Sequence, residues 1–281
     1  MRRRTGTGNA SVSAGSDPTA PPSIAIRRAL EDGWAAFRAD PWPLVLFTLL
    51  VGSLNLLCQL GIRWSEDVLL DPFGQPEPVA IGIQLLAWFG YALSVLWLWV
   101  GLLFGAEQAL SGTRPDLRRM LRVEPTGLIR AAGTLGLVLL VLALVMRLAQ
   151  ASAWLLALLQ PALMGLPLLA AIAAWVYLLT DQILSLPISV LGRVDPLEAF
   201  RRGRAAIDPH WLQALGLTLL LGLLVLTGFL LLLVGLAAAL PVASCTLVAA
   251  YRQLFDPGGQ PPPPARRPRP PLPHQAPRNR D

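Results

Sequence analysis

The sequence predicts an all-α, polytopic membrane protein: a bundle of about six transmembrane helices in three repeated units, each an interfacial helix followed by a transmembrane hairpin. Three observations predict it. Of 281 residues, 54% are hydrophobic and 14% charged, with a mean hydropathy of +0.55, whereas a soluble chain is roughly a quarter charged. The apolar residues form runs long enough to cross a hydrocarbon core of about 30 Å at about 1.5 Å per residue. An acidic residue followed by proline recurs every 84 residues, at Asp40-Pro41, Glu124-Pro125 and Asp208-Pro209.

Residues 1–22 begin with Arg2, Arg3 and Arg4 but contain no apolar core, so they read as a disordered arm and not as a signal peptide. The membrane domain is expected over 23–255, in units of about 23–110, 111–194 and 195–255. In the first, Ile26, Leu30, Trp34 and Phe37 share a helical face while Arg27, Arg28, Glu31 and Arg38 lie elsewhere, an interfacial pattern. Spans are expected at 43–62 and 79–106. In the second, Leu117, Met120 and Leu121 stand among Arg118, Arg119 and Arg122, ahead of spans at 131–150 and 161–182. Apolar character there persists to Leu191, with Asp181 and Gln182 as polar breaks and Pro167 and Pro187 as expected kinks. In the third, Asp195 and Pro196 read as N-cap and first turn, and Leu197, Phe200 and Ile207 lie opposite Arg201 and Arg202, with Arg204 beyond. Spans at 212–233 and 236–255 follow as a hairpin, for which Gly228, Gly235 and Pro241 offer places to turn. Residues 256–281, rich in Pro and Arg, read as a disordered tail.

Each acid-proline pair is expected to be an elbow, because proline ends one helix and restrains the residue before it. The text around the elbows also repeats. Ala29, Gly33, Ala35 and Ala36 correspond to Ala199, Gly203, Ala205 and Ala206 at an offset of 170, which requires a two-residue slip against elbows 168 apart. Thr134, Leu135 and Leu139 through Leu142, in which the third residue is Val141, match Thr218, Leu219 and 223–226 without a gap. Trp34, Trp42 and Trp211 stand at or near the elbows, where indole favours the headgroup level.

Arginine placement sets the expected direction. All but Arg63 and Arg147 precede span one, connect spans two to three or four to five, or end the chain, which puts both termini in the cytoplasm of a bacterial inner membrane. The expected partners are anionic lipids of the cytoplasmic leaflet, met by Arg27, Arg28, Arg118, Arg119, Arg122, Arg201, Arg202 and Arg204, and a second membrane protein; no nucleic acid is expected. The external loop carries Glu66, Asp67, Asp71 and Glu77, read as solvated acids.

No catalytic residue, metal site or cofactor is expected. Cys58 and Cys245 lie in apolar runs outside any paired-ligand spacing, and His210 and His274 stand apart. Asn55, Gln59, Gln84, Gln150 and Gln160 read as interhelical polar contacts. Asp181 with Gln182 forms the candidate intramembrane polar site. One reading ends span four near Thr180 and leaves Asp181 at the interface; the other makes it a proton or cation relay with Gln182 and Arg130, since an ionised carboxylate within a span costs about 3 kcal/mol.

A short Ala/Gly helix, a polar elbow, a Leu-rich hairpin and the ending Gly235-Leu236, Pro241, Ala250-Tyr251-Arg252-Gln253-Leu254-Phe255 together resemble the membrane domain of bacterial membrane-bound glycerophosphodiester phosphodiesterases. The likeness spans residues 24–255. It implies a membrane scaffold without the soluble catalytic barrel of those enzymes, and it carries over no catalytic residue. The function expected is a non-enzymatic scaffold or accessory role; the competing class is a small-solute transporter or channel.

Overall fold

The computed structural model describes residues 25–67, 78–122 and 125–255. The expected arm and tail, the loop acids Asp71 and Glu77, and Glu124 of the second elbow lie outside these residues. The first unit contains α1 (Ile26–Ala39), α2 (Pro41–Asp67) and α3 (Pro78–Leu110). The second contains α4 (Leu117–Leu121), α5 (Pro125–Leu159), α6 (Gly165–Asp181) and α7 (Ser185–Leu191). The third contains α8 (Pro196–Ile207), α9 (Trp211–Leu230) and α10 (Leu232–Phe255). There is no strand among the described residues.

Among the described residues, six helical runs are long and apolar enough to cross a membrane: Pro41–Glu66, Pro78–Leu110, Pro125–Leu159, Gly165–Leu191, Pro196–Leu230 and Gly235–Phe255. The chain is therefore a multi-pass, all-α membrane protein. Leu85, Leu86, Phe89, Leu139, Leu140 and Leu148 are all exposed, a continuous apolar surface that only lipid would tolerate. The last run is different, with 67% of its apolar stretch buried against 17% to 33% for the others. This makes α10 the centre of the bundle, touching α1, α2, α3, α7 and α9.

Several turns follow from local chemistry. Helix α3 ends with Gly112 at a φ of +75°, while Thr113 N–H reaches Gln108 O and Gly112 N–H reaches Ala109 O, the paired bonds of a Schellman ending. Asp116 then caps α4 by accepting from Arg118 N–H at 3.0 Å. Asp195 precedes Pro196 as expected, but only its backbone carbonyl serves the helix. Pro167 and Pro187 each fall in a first helical turn, where a missing N–H leaves no bond unmade, and Pro187 follows directly on the break between α6 and α7. Pro241 lies inside α10 and not at the hairpin turn. That turn is the single residue Leu231, with the backbones of Gly228 and Gly235 pressed together beside it.

The elbows also differ from expectation. Asp40 breaks the helix with φ −154° and ψ 83°, and Pro41 and Pro125 open α2 and α5. Asp208 instead keeps helical angles, and Asp208–His210 forms a 3-10 turn, so the third break falls at His210. Asp40 and His210 are 170 residues apart, as are the starts of α2 and α9 at Pro41 and Trp211. No slip is then needed. Ala29, Gly33, Phe37, Leu44, Phe47 and Val51 are buried, and so are Ala199, Gly203, Ile207, Ala214, Leu217 and Leu221, each 170 residues on.

The buried faces of the short helices are narrower than the apolar stripes predicted. In α1 the face is Ala29, Gly33, Ala36 and Phe37, while Trp34 is 49% exposed; in α8 it is Ala199, Gly203 and Ile207, while Leu197 is exposed. Small residues win these positions because they let backbones approach. A Cβ on Gly33 would stand 2.6 Å from Thr246 N in α10, and one on Gly105 would meet Met120 of α4 and Leu44 at 2.6 and 2.7 Å. Gly203 of α8 faces Ser185 of α7. Each short helix thus packs on the returning helix of the unit before it, with the first packed on the last.

Gly33→Ala is expected to lose about 1–3 kcal/mol, because the Thr246 backbone cannot yield. Gly136→Ala, with nothing within 4 Å, should leave stability unchanged or raise it by up to about 1 kcal/mol. Unfolding of both variants in detergent checks the contrast.

Candidate functional site

The fourth membrane run breaks where apolar text gives way to Thr180-Asp181-Gln182. Helix α6 stops at Asp181, and α7 starts at Ser185. The backbone is kept satisfied through the break: Gln182 N–H donates to Leu178 O at 2.9 Å, Ser185 N–H to Gln182 O at 3.0 Å, and Ser185 Oγ–H to the same carbonyl at 2.7 Å. Such a turn inside a membrane run is tolerated only where protein surrounds it. That condition holds, with Thr180 and Asp181 fully buried and Gln182 6% exposed.

Helix α6 ends at Asp181, as the interfacial reading has it, but the carboxyl is enclosed by protein. Gln182 Nε2 donates to Asp181 Oδ2 at 2.8 Å and lies 3.5 Å from Phe200 O on α8. Asp181 Oδ1, Gln182 Oε1 and Thr180 Oγ1 are buried with no hydrogen-bond partner. Gln182 Oε1 faces Gly203, 3.7 Å from where a Cβ would be, so the small residue that lets α8 pack also leaves the amide room. Arg130 is not the partner of Asp181. Among the described residues it makes no ion pair, and its carbonyl accepts from Thr134 and Ser189 at 2.9 and 3.4 Å.

One turn earlier on α6, Tyr177 O–H donates to Asp208 Oδ1 at 2.9 Å, and its ring stacks on Trp211 at 5.8 Å. Arg204 Nε lies 3.6 Å from Asp208 Oδ2, with both side chains about half exposed. The third acid-proline pair therefore belongs to a polar cluster reaching from the surface toward Asp181. Sequence reasoning placed Asp181 and Gln182 together but missed Thr180, Tyr177 and the Phe200 carbonyl. The Thr-Asp-Gln triplet was the available signal; the approach of α8 had none beyond its small residues.

The other candidates fall into place singly. All eight arginines named for the interface are exposed. Arg27 pairs with Glu31, Arg202 with Glu198, and Arg204 with Asp208. Asn55 Nδ2 donates to Ser94 Oγ between α2 and α3 at 2.8 Å, and Gln59 donates back to Asn55. Cys58 packs where Gly90 leaves space, and Cys245 is buried without a disulfide. Among the described residues, no group of three His, Cys, Asp or Glu side chains is placed to hold a metal. A groove of about 330 Å³ beside α2 is lined mostly by apolar side chains, Leu50, Val51, Ser53, Leu54, Leu57 and Trp97.

No protein-family model matches the chain, and no match is found among curated proteins or solved structures.

Gln182→Leu should cost about 1–3 kcal/mol by removing the one donor to a buried carboxyl. Tyr177→Phe should cost less, because its bond is exposed and water can replace it. Stability in detergent checks the order; a Gln182→Leu protein as stable as the parent would contradict the bonding described.

Proposed function

We propose that the protein is a non-enzymatic membrane scaffold whose short helices hold an arginine rim against anionic headgroups or a membrane partner. The observation that carries this reading is the division of labour on α1, α4 and α8. Their small or apolar faces are packed inward, at Gly33, Met120 and Gly203, while Arg27, Arg28, Arg118, Arg119, Arg122, Arg201, Arg202 and Arg204 stay exposed. Fixed cations of this kind gain about 1 kcal/mol each beside anionic lipid. The surface pairs with Glu31, Glu198 and Asp208 compete weakly, since exposed ion pairs contribute little.

The arginine bias further supports cytoplasmic termini and a bacterial inner membrane, and the matching burial at an offset of 170 supports kinship of the first and third units. A membrane domain related to that of the glycerophosphodiester phosphodiesterases, without their barrel, fits this role. A transporter or channel is the second reading, favoured by the buried, half-satisfied Asp181.

In nanodiscs of mixed composition, the parent protein should retain anionic lipid, and Arg118→Gln, Arg119→Gln and Arg122→Gln combined should lose most of that enrichment in a salt-sensitive way. Equal lipid retention by both proteins would remove the rim reading, and solute flux in reconstituted vesicles would favour transport. Reporters fused after residue 70 and at the C-terminus should lie on opposite sides of the membrane; same-side signals would contradict the orientation.

A further inference from the structure

We propose that the break between α6 and α7 binds one small monovalent cation, a proton or an alkali metal ion, at Asp181 Oδ1. The argument begins with charge. Asp181 is fully buried, and its single hydrogen bond comes from a neutral amide, on Oδ2. Oδ1 has no partner. One such bond recovers only part of what a buried carboxylate loses in leaving water. A positive charge on Oδ1 supplies the rest.

Among the described residues no cation pairs with Asp181: Arg204 is half exposed and faces Asp208. Both neighbours of Asp181 in sequence carry a buried oxygen without a partner, Thr180 Oγ1 and Gln182 Oε1, and Ser185 begins α7 just beyond. With one carboxylate and neutral oxygens, the site suits a single positive charge; a divalent ion takes six or more oxygen ligands, usually several of them carboxylates.

Polar groups also lie toward the surface from the site. Asp208 is exposed at the surface and bonded to Tyr177, and Tyr177 and Asp181, four residues apart, share a face of α6. Gly203 leaves no side chain over Gln182. Gln182 ties the loaded carboxyl to the α8 backbone at Phe200, so occupancy is felt by the helix that carries Arg201, Arg202 and Arg204. The scaffold reading does not depend on Asp181, and failure of this site leaves it standing.

The test uses the full chain in nanodiscs, with aspartate carboxyls labelled with carbon-13, followed by infrared spectroscopy as pH and sodium are varied. A labelled protonated-carboxyl band at neutral pH that disappears in Asp181→Asn supports the site with a proton as occupant. A labelled carboxylate band that shifts on adding sodium, with a sodium-dependent rise in unfolding midpoint that Asp181→Asn abolishes, supports it with a metal ion. If neither band behaviour is seen in the parent protein, the proposal is overturned, and this reading does not require the variant to fold. Identical bands and identical sodium and pH dependence in parent and Asp181→Asn overturn it as well.

Discussion

Apolar surface gives two helices in lipid no reason to associate, so the six spans are held by close fit at small residues. Gly33 against Thr246 is the plainest case, since any side chain there meets backbone. The same device recurs where Gly105 receives Met120 and Leu44, whereas at Gly203 a Cβ would make only ordinary contact with Ser185, at 3.7 Å. Because the first short helix packs on the last span, the chain closes into a ring of contacts, and α10 becomes buried to an extent no other span is. Phe47, Leu102, Leu103 and Leu184 fill the space that remains inside, and Leu85, Phe89 and Leu140 face outward, where lipid accepts them.

This packing explains both candidate sites. A helix that docks by a small-residue face must turn its arginines outward, which produces the exposed rim. The same approach of α8 seals Thr180, Asp181 and Gln182 inside protein. A polar break in a membrane run would otherwise face hydrocarbon, with backbone and carboxyl unsatisfied. The rim and the buried acid are thus two consequences of one contact, read from opposite faces of one helix.

Much of the architecture was legible. Apolar runs long enough to span gave the six crossings, and their ends differ from the helices mainly because helices such as α5 (Pro125–Leu159) continue beyond the hydrocarbon limits assumed. The offset of 170 between Ala29-Gly33 and Ala199-Gly203 was visible and proved to be the register of burial. Less legible was the face each short helix buries. Periodicity weights large apolar residues, so it favoured Ile26, Leu30 and Trp34, whereas close packing selects Ala29, Gly33 and Ala36. At the third elbow α8 ends at Ile207, before Asp208-Pro209, and α9 starts at Trp211; proline marks the broken hydrogen-bond ladder but not whether the chain bends there or tightens into a 3-10 turn. Whether Asp181 was wet depended on α8, which no local pattern near residue 181 reports.

The central claim is the closure of α1 on α10. Gln253 Oε1 accepts from Ala25 N–H at 3.0 Å, joining the start of one helix to the end of the other. With Cys58 and Cys245 replaced by alanine, Ala25→Cys and Gln253→Cys together should be joined by a short bis-maleimide within one chain in native membranes. Efficient single labelling at both positions with no intramolecular cross-link would mean that α1 lies apart on the membrane surface, and the ring of contacts would be wrong.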